Sequence, residues 1–168
     1  MTFPAWFEEF LRWLEATQVA IAIKENEVLF PWIESVHVLA IVLVVGTISI
    51  IDLRLLGVAS LDRAATRLMG DVLPWTWGAF VIAAITGSLL FSSNAVNYAH
   101  NFFFQGKMLF LVAVGLNMAI FHGFGIRDIA RWDTAPRTPP AAKVGGAVSL
   151  LLWIAVVAFG RWIGFTLH

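Results

Sequence analysis

Four long apolar stretches, close to residues 32–56, 74–93, 103–126 and 144–165, constrain this chain more than any motif does. Each has the roughly 20 residues that an α-helix, rising about 1.5 Å per residue, needs to cross a bilayer core. Backbone polar groups in hydrocarbon must be satisfied internally, which leaves helices or a closed barrel. Barrel strands would read as segments of about 10 alternating residues, whereas these runs are continuously apolar. The expected fold is therefore all-α, an integral membrane four-helix transmembrane bundle. Composition agrees, with 60% hydrophobic and 13% charged residues and a mean hydropathy of +0.82, against about a quarter charged in soluble domains. Within 168 residues the expected division is an interfacial segment, 1–30, and the bundle, 31–168.

The segment ahead of the first span has no positive leader region and no small-residue cleavage site, so it does not read as a signal peptide. Phe3, Trp6, Phe7, Phe10, Leu11 and Leu14 recur at helical spacing, Thr2 stands as a candidate N-cap and Pro4 follows just inside. An N-terminal amphipathic helix lying in the membrane interface is expected, as an anchor, a lid or a docking element for a partner subunit. Residues 18–30 are too short to span, and Lys24, Glu25, Asn26 and Glu27 read as a solvated turn. Residues 128–143, with Pro136, Pro139 and Pro140, read as a short linker without its own fold.

Cationic residues set the expected orientation. Arg54, Arg63, Arg67, Arg127, Arg131, Arg137 and Lys143 fall at one end of the spans, and Arg12, Lys24, Lys107 and Arg161 at the other. The first set marks the cytoplasmic side, placing both termini outside the cytoplasm.

Ionisable residues inside such spans are costly, so they normally face a bundle interior, a cofactor, an ion or one another. Glu34 and His37 stand one turn apart at the mouth of the first span. Counting rise along the helices separates His37 from His122 by roughly 18 Å along the bundle axis, which excludes one haem ligated by both. At the outer rim Glu34 and His37 are expected to gather with Tyr98, His100, Asn101, Lys107 and Arg161. Three arrangements remain open there. His37 and His100 ligate a b-type haem whose propionates meet Lys107 and Arg161, with Tyr98 alongside. Alternatively Glu34 and His37, completed by His100 or His168, hold a bare copper, iron or zinc ion. In the plainest case Glu34 pairs with Lys107 or Arg161 and His37 donates a hydrogen bond. At the opposite end Asp52, Arg54, His122 and Arg127 are expected to form a charge-pair latch between the first and third spans, or an inner redox or proton-transfer site.

Several chemistries are excluded. The chain has no cysteine, hence no disulfide, thiolate metal site or iron–sulfur cluster. It has no phosphate-binding glycine loop, nucleophile elbow or dinucleotide fingerprint, and whether it is an enzyme stays open. A net charge of zero speaks against a nucleic-acid partner. The expected partners are the lipid bilayer, further copies of the chain or a larger membrane complex, and a periplasmic redox or metal-carrying protein.

The run Ser35-Val36-His37-Val38-Leu39-Ala40, continuing through Gly46 to Asp52-Leu53-Arg54-Leu55-Leu56-Gly57, together with Phe104-Gln105-Gly106-Lys107-Met108-Leu109, resembles an uncharacterised bacterial family of four-helix inner-membrane proteins. It is more distantly similar to the membrane domain of copper-resistance protein D and to four-helix b-type cytochromes. That resemblance implies a membrane bundle suited to a haem or metal function. The di-haem cytochromes place two histidine pairs on inner helices, whereas this chain has 4 histidines in all, enough for at most one bis-histidine haem that recruits His100. The leading functional expectation is a small haem-b redox protein relaying electrons at the periplasmic face to quinone or a partner subunit. Metal handling or transport and a non-catalytic accessory role are the alternatives.

Overall fold

The computed structural model describes residues 3–125, 129–133 and 138–167. In chain order its helices are α1 (Ala5–Glu15), α2 (Gln18–Glu25), α3 (Leu29–Leu56), α4 (Ala65–Ser93), α5 (Ala95–His100), α6 (Phe102–Ile120), α7 (Ile129–Trp132) and α8 (Pro140–Thr166). The chain of α6 continues through a π-helical turn, Phe121–Gly125. No strand occurs among the described residues, and four helices are long and apolar enough to cross a membrane.

Local chemistry explains the ends of α3. At its start Asn26 Oδ1 accepts from the amides of Val28 and Leu29 at 2.9 and 3.0 Å, satisfying donors that a helix N-terminus leaves open. At its end Gly57 adopts φ 79°, and the amides of Gly57 and Val58 bond back to Arg54 and Leu53. This left-handed cap is one that glycine adopts without a Cβ clash.

Three boundaries differ from the sequence expectation. Helix α4 begins at Ala65 and runs through Pro74 instead of starting there, because burial of Ala65, with Met69, Val72 and Leu73, against Ile51, Leu55 and Ala142 outweighs the missing proline hydrogen bond. Residues 18–25 form a helix, so of the expected turn Lys24 and Glu25 are helical while Asn26 and Glu27 lie outside it: Thr17 Oγ1 accepts from the Ala20 amide at 3.3 Å, and Ala20 and Ile23 are buried with α2 against α4. The linker before α8 contains α7, whose Ile129 and Trp132 join the same core as Ile51. Thr2, the expected cap of α1, lies outside the described residues, and Pro4 is the residue preceding the first helical turn.

Helix α3 packs on α4 and on α8, and α6 packs on α8. Glycines permit the two α8 contacts. A Cβ on Gly146 would meet Asp52 O and Leu55 Cβ at 3.0 Å, so the α3 and α8 backbones approach as small residues allow, and one on Gly106 would overlap the Phe159 ring, which lies over that glycine. By contrast α4 and α6 meet chiefly through side chains near their loop, where Phe91 stacks on Phe104 with centroids 5.2 Å apart. Much of the outward surface is apolar, including Leu39, Val42, Ile85, Leu109, Val112, Leu116 and Leu151. A contiguous surface of that kind is suited to lipid or to other protein, not to water.

The basic end is held differently from the expected latch. Arg54 is 1% exposed; its Nε donates to Arg63 O at 3.1 Å, one terminal nitrogen to Asp133 O at 3.2 Å and the other to Thr138 Oγ1 at 3.3 Å. It pairs with neither Asp52 nor His122. His122 Nδ1 instead lies 3.1 Å from Met118 O, and Arg127 falls outside the described residues. The tie therefore runs from a guanidinium to the backbone of two loops, which a planar fork of five donors suits better than a single carboxylate would.

Asp133 adds a second tie between those loops: Oδ2 accepts from Thr66 Oγ1 at 2.6 Å and Oδ1 from the Thr66 amide at 2.8 Å. These bonds, the hydroxyl first, hold its carboxyl below the ordinary 3.8. A depressed folded-state value makes the contribution complete above pH 3.8 and lost as pH falls below it. Hydrogen exchange at the Thr66 amide is expected to accelerate, beyond its intrinsic pH dependence, as acid passes that point. The Asp133→Asn variant should show no such step; an identical step in both would remove Asp133 as its cause.

Candidate functional site

At the end of the bundle that carries His37, α3 and α8 diverge from their close crossing at Gly146 and leave a cavity of about 540 Å³. Glu34, His37, Tyr98, Lys107 and Arg161 all line it. The sequence places these residues on α3, α5, α6 and α8, and the tertiary fold brings them to one chamber. Its deeper walls are aliphatic, with Val38, Ile41, Val42 and Val45 from α3 and Val156 and Val157 from α8. A polar rim above an apolar throat is the pattern of a site for an amphipathic molecule.

The orientation of His37 comes from α4. Its Nδ1 lies 2.9 Å from Thr86 Oγ1, and that hydroxyl donates to Ile82 O at 2.7 Å. A threonine hydroxyl has one proton, so with that proton on Ile82 O the oxygen accepts from His37 Nδ1–H. Nε2 then carries the lone pair. An imidazole fixed through one nitrogen with the other bare is the form in which histidine ligates metals or takes up a proton. Gly87 makes this possible: a Cβ there would stand 2.9 Å from His37 Cε1.

The charged rim is unpaired internally. Glu34, Lys107 and Arg161 form no ion pair with one another; the ion pair among the described residues is His100 Nε2 to Glu8 Oε1 at 2.7 Å. Lys107 passes over Gly160, its Cδ 3.6 Å from where a Cβ would be, and Arg161 lies with Cζ 5.0 Å from the Phe165 ring centroid, a cation–π contact. Burial, then the Glu34 charge, pushes the Tyr98 phenol above 10.0, so it stands in the cavity as a neutral O–H donor. Asn101 is turned to structure, with Oδ1 capping α6 through Phe103 and Phe104 and Nδ2 donating to Thr166 Oγ1.

His100 is not part of this chamber. It ends the short helix α5, its Nε2 on Glu8 and its ring 5.0 Å from that of Phe3. Glu15 Oε1 also accepts from the Val96 amide at 2.8 Å, and Leu11, Ala95 and Ala99 are buried together. The N-terminal helix thus grips α5 by two carboxylates and one apolar face, which draws His100 outward. The expected convergence of His37 with His100 is absent, because the loop that carries His100 is a helix held by α1. The same geometry removes the bare-metal arrangement of Glu34, His37 and His100, and no group of three metal-ligating side chains gathers among the described residues. His168 lies outside them.

Sequence reasoning missed Thr86, Gly87 and Glu8 as partners. Thr86 and Gly87 are small residues of the kind that lets helices pack closely, and nothing in their spacing marks the imidazole opposite. Glu8 sat in an expected interfacial helix, where a carboxylate in the early turns is ordinary.

A family model described as a family of unknown function, DUF6644, matches residues 10–166. This match carries no link to copper-resistance protein D or to b-type cytochromes. No curated protein and no solved structure matches the chain.

Proposed function

The chain belongs to the DUF6644 family, and we propose that it is a bacterial inner-membrane protein that holds one haem b in the His37 cavity and relays electrons at the periplasmic face. The observation that carries this reading is His37, held through Nδ1 by Thr86 at the wall of a large cavity whose throat is apolar and whose rim carries Lys107 and Arg161. The residues fit the group in three respects. His37 offers one axial donor, Lys107 and Arg161 offer charge-assisted bonds to propionates, and the valine-rich walls accept the macrocycle. They depart from a bis-histidine site, since His100 is engaged by Glu8. The reading is therefore of a haem with His37 as its histidine ligand.

Bound there, haem would supply one-electron exchange at iron, with His37 as the residue that would hold the iron. The chain's own part is to hold Nε2 toward the group, to neutralise the propionates and to exclude water from the throat. The basic loops at the Arg54 end support a reading with both termini in the periplasm, and quinone or a membrane partner is the electron acceptor in this proposal.

The test is an absorption spectrum of protein purified in detergent from cells supplied with a haem precursor. The parent should show a Soret band, and His37→Ala should lose most of it with helical content unchanged. A parent that neither carries haem nor takes up added haemin, or a His37→Ala band equal to the parent's, would overturn the reading.

A further inference from the structure

A second cavity, of about 200 Å³, lies between the four long helices at the Arg54 end. It is separate from the His37 chamber. Val44 and Trp153 line one, Val45 and Val156 line the other, and the buried cluster of Val44, Ala79, Trp153 and Val156 forms the partition. Its mouth follows from the packing, because α4 and α6 contribute opposing walls yet scarcely touch in this half of the bundle.

Two observations converge on its chemistry. Asp52 lines the cavity at 3% exposure, and its Oδ2 is the buried side-chain polar atom without a hydrogen-bond partner among the described residues. A carboxylate so placed costs several kcal/mol unless a partner or a proton compensates it. The Ser149 hydroxyl reaches the carboxyl group but leaves Oδ2 without a partner, Arg54 is spent on loop acceptors, and the His122 ring nitrogen Nδ1 is engaged at Met118 O. Four aromatic side chains also line the wall, Trp77 and Phe80 from α4, Phe121 after α6 and Trp153 from α8, among aliphatic residues such as Ile48, Leu73 and Leu111. Aromatic faces attract cations when water is excluded, and a buried carboxylate with one unpartnered oxygen among them completes the pattern by which proteins recognise a lipophilic ammonium.

We infer that this cavity is a binding site for a small lipophilic organic cation, an aryl- or alkyl-ammonium, entering between α4 and α6 and neutralised by Asp52. The site is independent of the haem reading. A neutral flat ligand such as a quinone is the competing occupant, and it would use the same aromatic walls without needing the charge.

Calorimetric titration of the whole protein in detergent with benzyltrimethylammonium separates these cases, with neopentylbenzene as the uncharged isostere and a short-chain quinone as the third ligand. The ammonium is expected to bind at least tenfold more tightly than neopentylbenzene, and Asp52→Asn to weaken the ammonium at least tenfold while leaving the isostere unchanged. Gly115 lines the same cavity, and a Cβ there meets nothing within 4 Å. Gly115→Leu should therefore fill the space and abolish ammonium binding, and leucine's higher helix propensity guards against loss of fold. His37→Ala should bind the ammonium as the parent does. Equal affinity for ammonium and isostere, an Asp52→Asn variant that binds the ammonium unchanged, or preferential quinone binding insensitive to Asp52 would each overturn the assignment.

Discussion

Arg54→Ala is expected to destabilise the bundle by about 3–5 kcal/mol, the range for breaking a buried charged contact by removing one side. The guanidinium is 1% exposed and satisfies the carbonyls of Arg63 and Asp133 and the hydroxyl of Thr138. Each bond involving a charged group is worth about 1.5–3 kcal/mol, and its loss leaves an acceptor without a donor. Arg54→Met, which keeps much of the side-chain volume, should lose nearly as much, showing that the hydrogen bonds matter more than packing. Arg54→Lys should fall between, because one ammonium cannot reach three acceptors in a planar fork. Reversible unfolding of the detergent-solubilised protein measures all three. A loss below about 1 kcal/mol for Arg54→Ala, the scale of a surface contact, would mean that the loops hold together without it.

Gly87→Ala is expected to damage the His37 site about as severely as removing the imidazole, without unfolding the helix that carries it. The added Cβ would lie 2.9 Å from His37 Cε1, closer than carbon atoms tolerate, so the ring must swing and give up its 2.9 Å contact with Thr86. Overpacking of this kind costs about 1–3 kcal/mol, and 1.4 kcal/mol is a factor of ten in binding. Alanine itself favours the helix over glycine by about 1 kcal/mol, so a damaged site beside unchanged helicity isolates the steric effect. Nitrogen-15 resonances of His37 read this independently of any haem: the parent should show the Nδ1–H tautomer, and Gly87→Ala a mixed or reversed one. Haem retention should fall about tenfold in parallel. An unaltered tautomer signal in Gly87→Ala would show that the ring is not held where the structure has it.

These two residues illustrate how unevenly the sequence could be read. Arg54 was legible as a group that needed a partner, since an arginine at a span end is conspicuous. Its partners were not, because they are backbone carbonyls and a hydroxyl in two distant loops, and such acceptors belong to no residue type. Gly87 was legible only as a small residue suited to close packing. That it lies beneath an imidazole depends on the rotation of α4 about its own axis, which the weakly amphipathic pattern of a membrane helix leaves undetermined. His100 shows the opposite failure. Its place in the loop before α6 follows from the sequence, but its direction is set by Glu8, 92 positions earlier.

What the sequence determined alone was the set of four apolar helices, because hydrocarbon tolerates no unpaired backbone and the lengths of the apolar runs match a bilayer. It also placed Glu34, His37, Lys107 and Arg161 at one end, since depth follows from counting residues along a helix of fixed rise. The tertiary structure alone decided which of them share a chamber, which nitrogen of His37 is bare and which histidine is drawn away. Those outcomes depend on helix rotation and on contacts between residues far apart in the chain, such as Thr86 with His37 and Glu8 with His100, and rise and hydropathy specify neither.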